Sequence, residues 1–123
     1  MNGDDKAERR ATGIKKFEEV TCTRCPDLTD PLSAFTIDTT FAEIWTRPGL
    51  TRKERRWISL TAAAISGQEI PVSTHVRSAV ESGDIAIEEL KEFILHLGIY
   101  AGLPNVQVAN VAVRRLAAER QAK

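Results

Sequence analysis

From Asp30 onward the apolar positions of the chain return at helical spacing. Leu32, Phe35, Ile37, Phe41, Ile44 and Trp45 form an approximate stripe that ends at Pro48-Gly49. Asp30 followed by Pro31 predicts the helix start, because the carboxylate can accept from a first-turn amide and proline gives up an N–H that has no partner there. Thr51-x-x-Glu54 has the form of a capping box and predicts a second helix running to about Ser66, with Gly67 as its stop. A third helix is expected to start near Gln68 to Pro71 and to end at Gly83. Residues 87–101 are polar at the start and apolar on nearly every face afterwards, the pattern of a buried central helix. Gly102 stops that helix, and Pro104 opens a last one whose valines, alanines and Leu116 supply an apolar side before the charged run from Arg114 to Lys123.

No segment alternates with a period of two in strand-like composition, so the expected fold is all-α with five to six helices. Residues 1–12 lack apolar periodicity and read as a mobile polar tail, leaving 13–123 as a single helical domain. Between Gly13 and Pro31 a short helix around Ile14 to Glu19 and then a loop are expected. The helix over 87–101 is more apolar than one side of a small monomer needs, so its outer half is expected to pack against another subunit.

Charge and length narrow the possible functions. Lysine plus arginine and aspartate plus glutamate each total 17, which removes the basic footprint of a general nucleic-acid binder. No apolar run approaches the roughly 18 residues of a membrane span, and Met1-Asn-Gly-Asp-Asp-Lys lacks the apolar core of a secretion signal, so a cytoplasmic protein is expected.

Two histidines stand out. His75 lies among Val72, Val76, Ala79 and Val80, at the edge of a buried stripe, where it is either a boundary histidine satisfied by one hydrogen bond or an acid/base group. His96 and Tyr100 are four apart and share a helix face, so their polar tips must find partners or line a cavity. Arg52, Lys53, Arg55 and Arg56 crowd a helix start, where cations oppose the dipole. An acidic partner or ligand would account for them, and a solvated basic face is the alternative, preferred for Arg52, Lys53 and Arg56. Glu43 either points into a site or pairs with a nearby arginine. Cys22-Thr-Arg-Cys25 could hold zinc only with two further ligands, and both histidines lie far along the chain, so no metal is expected. Two reduced thiols are the expected state, a local redox pair the alternative.

Three segments taken together, Glu43-Ile-Trp-Thr-Arg-Pro-Gly-Leu50, Thr74-His75-Val-Arg77 and Ile94-Leu-His-Leu-Gly-Ile-Tyr100-Ala-Gly-Leu-Pro104, resemble the carboxymuconolactone decarboxylase family over about half of the chain. The resemblance implies an alkylhydroperoxidase D-like helical fold assembled as a homotrimer or homohexamer. It implies His75 as the acid/base group and Arg55 and Arg47 as carboxylate clamps. Glu43, Trp45, His96 and Tyr100 would then be substrate-binding. In the peroxidases of this superfamily two cysteines precede the helix histidine by seven and four residues, where this chain has Gln68 and Pro71, so the decarboxylase branch is implied. The implied reaction is cofactor-free decarboxylation of 4-carboxymuconolactone to 3-oxoadipate enol-lactone and CO2, in the β-ketoadipate pathway of aromatic catabolism. The substrate partner would be a small carboxylate. Another cofactor-free proton transfer or ring rearrangement, and a non-catalytic metabolite-binding oligomer, are the alternatives. A thiol peroxidase using Cys22 and Cys25 ranks last.

Overall fold

The computed structural model describes residues 3–122, all of whose regular elements are helical. In order these are α1 (Gly3–Thr21), α2 (Pro31–Thr36), a π-helical segment (Ile37–Ile44), α3 (Arg52–Ser66), α4 (Glu69–Glu81), α5 (Ile87–Ala101), a 3-10 turn (Leu103–Val106) and α6 (Gln107–Gln121). The expected all-α architecture is observed. No described helix is long and apolar enough to cross a membrane. Two compact units divide the chain, Met1–Arg52 and Lys53–Lys123.

In the first unit, positions 1 and 2 of the expected tail lie outside the described residues, and helix begins at Gly3 rather than near Ile14. Tertiary partners account for the difference. The Arg10 guanidinium donates to both carboxylate oxygens of Asp38 at 2.6 and 2.8 Å, Arg9 Nε donates to the Asp38 carbonyl at 2.8 Å, and Arg9 also pairs with Glu43. Charged residues without apolar periodicity are therefore ordered by specific acceptors on the π segment. The α1 face beyond them contributes Ile14, Phe17 and Val20 to a small core with Ile37 and Phe41. Phe17 meets Phe41 edge-on at 5.1 Å, and Trp45 stacks on Phe41 at 6.3 Å.

Asp30 caps α2 as expected, its carboxylate accepting from the Ser33 amide at 2.8 Å with Pro31 at the first position. The helix that follows does not continue as one α-helix. From Ile37 it widens, and the Trp45 amide bonds the Thr40 carbonyl, five residues back, at 3.0 Å. The expected apolar stripe is only half used, since Ile37 and Phe41 are buried while Leu32 and Phe35 are exposed.

The second unit follows the predicted boundaries closely. Gly67, Gly83 and Gly102 all adopt positive φ, at 68°, 81° and 94°, and each stands just beyond a helix end. The Ala86 amide opening α5 is satisfied by the Glu89 carboxylate at 3.0 Å. Leu60, Ala63 and Ala64 of α3, Val72, Val76 and Ala79 of α4, Leu90 and Ile94 of α5, and Ala109, Val113 and Leu116 of α6 form one core. The outer face of α5 leaves Leu95, Ile99 and Tyr100 exposed. Lys123, the end of the expected charged tail, lies outside the described residues.

Gly13 records how closely α1 approaches the π segment. A β-carbon there would stand 2.3 Å from the Ile37 carbonyl oxygen and 2.7 Å from its Cγ2, and the first obstacle is backbone. Gly13→Ala should therefore destabilise the first unit by about 1–3 kcal/mol despite alanine's better helix propensity. Chemical denaturation followed by circular dichroism checks this, and an unchanged or raised midpoint would refute the close approach.

Candidate active site

The second unit places four of the seven candidate residues, and it separates them into two environments. His75 lies on α4 between the buried Val72 and Val76, and its ring is half-buried. Its neighbourhood contains a group that the sequence misplaced. Arg56, expected on a solvated basic face, is only 2% exposed. The reason is its register: it precedes Leu60 by four residues and Ala63 by seven, so it shares the buried face of α3.

A buried guanidinium needs a carboxylate and hydrogen-bond acceptors around it. Arg56 Nε donates to Asp84 Oδ2 at 2.6 Å, and Nη1 donates to the buried Ser78 hydroxyl at 3.4 Å. Ser78 Oγ in turn donates to the His75 carbonyl at 3.4 Å. Asp84 is held by the turn that ends α4. Its amide bonds Ser82 Oγ at 3.2 Å, and the next amide, of buried Ile85, bonds the Ala79 carbonyl at 3.0 Å. Burial, and secondarily the positive charge of Arg56, depress the pKa of His75 below its ordinary value. The imidazole is thus neutral at neutral pH and can both donate and accept a hydrogen bond.

Arg55, next to Arg56, is half-buried, with its Nε withdrawn from solvent. His96 and Tyr100 are on the exposed side of α5, their rings 5.2 Å apart and tilted by 32°. His96 borders a groove of about 600 Å³ whose apolar wall is Trp57 and Phe93 and whose other lining residues are Glu88, Glu89 and Glu92. Trp57 and Phe93 pack with ring centroids 5.4 Å apart. Neither His75 nor Arg55 is among the residues lining this groove. Glu89 bridges the Ala86 amide and Lys53 Nζ, at 3.0 and 2.8 Å, and these partners, the amide first, lower its pKa.

The remaining three candidates belong to the first unit. Glu43 pairs with Arg9, the partner that sequence alone did not single out. Trp45 is half-buried against Phe41. Arg47 is exposed, its amide bonded to the Ile44 carbonyl at 3.1 Å. Cys22 and Cys25 are not joined in a disulfide, and burial together with Glu18 raises the Cys25 pKa, the opposite of an activated thiolate. Among the described residues, no group of three or more histidine, cysteine or carboxylate side chains could hold a metal ion.

An all-helical chain with a half-buried helix histidine beside a buried arginine describes a class of helical fold and no more. The family model for the carboxymuconolactone decarboxylase family matches residues 31–115, and the chain belongs to that family. It is 39% identical over 64 residues to the 4-carboxymuconolactone decarboxylase of Acinetobacter baylyi, covering 52% of this chain and 47% of that protein. It is 34% identical over 74 residues to the nitrosuccinic acid decarboxylase npaB of Metarhizium robertsii, covering 58% of this chain and 50% of that protein. The chain thus spans about half the length of the curated relatives it matches.

The depressed His75 pKa has a consequence for stability. As pH falls below about 6.5 the unfolded chain binds a proton at His75 that the folded chain resists, so the unfolding free energy falls, and this loss is complete below the folded-state pKa. Denaturant titrations at about pH 5 and about pH 7.5 should show a smaller acid-side loss in His75→Gln than in the parent. Equal losses would exclude burial of His75 as a source of acid sensitivity.

Proposed function

We propose that this chain is a cofactor-free decarboxylase of a small organic acid, with 4-carboxymuconolactone as substrate and 3-oxoadipate enol-lactone and CO2 as products. The observation that carries the reading is the half-buried His75 of α4 in a chain of this family. In the lactone acid, the carboxylate that leaves sits on a carbon conjugated through a double bond to the lactone carbonyl. The C–C bond to that carboxylate breaks, its electron pair flows into the carbonyl, and a dienolate forms without a metal or an organic electron sink. The remaining tasks are to bind the carboxylate that stays, to stabilise the enolate oxygen and to protonate carbon.

Arg55 supplies a cation for the first two tasks, and the family resemblance implies Arg47 as a second. His75 supplies the proton. An anionic substrate beside it opposes the effects of burial and Arg56, so the imidazole takes up a proton as substrate binds and transfers it to the ring carbon. It then returns to the neutral form. His96 and Tyr100, on the exposed side of α5, are left to binding the substrate rather than to orienting the His75 ring. His75→Ala should lower kcat by about 100-fold or more while leaving assembly intact, as measured by loss of substrate absorbance and release of CO2. Turnover equal to that of the parent would remove His75 from the mechanism.

Similarity to the nitrosuccinic acid decarboxylase favours a second reading, in which the same groups act on a different acid. A nitro group, like a conjugated carbonyl, accepts the electron pair left by departing CO2. A panel of lactone and nitro acids separates the two by product. In either case the exposed Leu95 and Ile99 of α5 supply an apolar face for a homotrimer or homohexamer. Ile99→Lys should shift the sedimentation coefficient toward that of the monomer, and an unchanged oligomer would place the interface elsewhere.

A further inference from the structure

Arg56 is the largest side chain withdrawn from solvent among the described residues, and the proposed chemistry gives it no contact with the substrate. Its guanidinium is oriented at Nε by Asp84 and at Nη1 by Ser78, whose hydroxyl passes the connection to the peptide of His75. A hydrophobic side chain of similar volume would fill the same space without requiring a carboxylate at position 84. What the pair adds is a fixed positive charge with a defined orientation beside α4.

We propose that Arg56, locked by Asp84, is a positioning residue for His75: it fixes the turn of α4 that carries the imidazole and sets the electrostatic field at the ring. The inference rests on His75 as the proton donor of the proposed decarboxylation. Other charges around α4 are already compensated or lie along its outer side. Arg77 is held by Glu119 of α6 at 3.0 Å and by Glu81 at 3.7 Å, while Glu69 and Arg115 line the groove that runs past Ser73. Of the four cations on α3, Arg52, Lys53, Arg55 and Arg56, it is Arg56 whose positive charge bears on the imidazole by Coulomb repulsion. Burial and Arg56 disfavour the protonated imidazole, and an anion bound beside it would favour that form. Arg56 alone would repel the proton more strongly, and Asp84 limits that repulsion.

On this inference the cation and the carboxylate of the pair act on His75 with opposite signs, which separates the role from simple packing. Proton NMR titration of the intact protein follows the His75 imidazole, assigned with His75→Gln, in Arg56→Gln, Asp84→Asn and Arg56→Lys. Removing the cation in Arg56→Gln should move the titration midpoint of His75 up, and neutralising its partner in Asp84→Asn should move it down. Arg56→Lys, which keeps the charge and loses the planar fork, should leave the midpoint near that of the parent. The acid limb of the turnover–pH profile should move in the same direction as the midpoint in each variant. Midpoints that stay fixed, or that shift the same way in Arg56→Gln and Asp84→Asn as loosened packing would make them, overturn the inference. If Arg56→Gln fails to fold, Asp84→Asn and Arg56→Lys still decide it: a downward shift in the first with little change in the second supports the role, and any other pattern refutes it. The titration contains no substrate, so failure of the decarboxylase reading appears in turnover and failure of this inference appears in the midpoints.

Discussion

A charge inside a small helical unit constrains its surroundings more narrowly than any apolar contact does. Leu60, Ala63, Ala64, Val72, Val76 and Ala79 hold α3 and α4 in one core, but burial of apolar area is non-directional and tolerates small shifts. The contact from Arg56 to Asp84 tolerates much less, because a rotation of α3 by one residue, about 100°, would carry the guanidinium off the buried face and leave its partner uncompensated. The register of α3, the left-handed turn at Gly83 and the end of α4 are therefore tied to one another. His75 inherits its place from that tie.

Helix boundaries were legible in the sequence because the groups that make them are local. Asp30 before Pro31, and glycines at 67, 83 and 102, act within one turn of their own position. What was not legible depends on distant partners. The first turns of α1 look like a solvated tail until Asp38 and Glu43 are brought to Arg10 and Arg9. The π winding from Ile37 escaped for another reason: apolar residues at 37, 41 and 45 are spaced by four, which suits an α-helix as well as a wider one. Arg56 carried a usable signal, its spacing from Leu60 and Ala63, but a charged side chain among other cations outweighs periodicity when no carboxylate is visible nearby.

The candidate site shows the same division. Residue types and spacing singled out both histidines, yet their environments differ in ways that spacing does not encode. His75 is half-buried among valines, whereas His96 stands on the open side of α5 with Tyr100. Position four before Tyr100 predicts a shared face and is silent on whether that face is covered.

The groove beside His96 illustrates why counting charges misjudges a site. Three glutamates line it, which taken alone would exclude an anionic ligand. Two of them are engaged: Glu89 with Lys53 and the Ala86 amide, and Glu88 with Lys91 at 3.2 Å. Each pairing removes part of the negative field at the groove and leaves the indole of Trp57 and the ring of Phe93 as its apolar wall. These pairs are on the surface and weak singly, so their effect on a ligand falls as ionic strength rises. The Arg56–Asp84 contact, withdrawn from water, is screened far less. Rising salt therefore weakens the ion pairs around the groove while the Arg56–Asp84 contact beside α4 stays nearly constant, so the two environments answer to ionic strength differently.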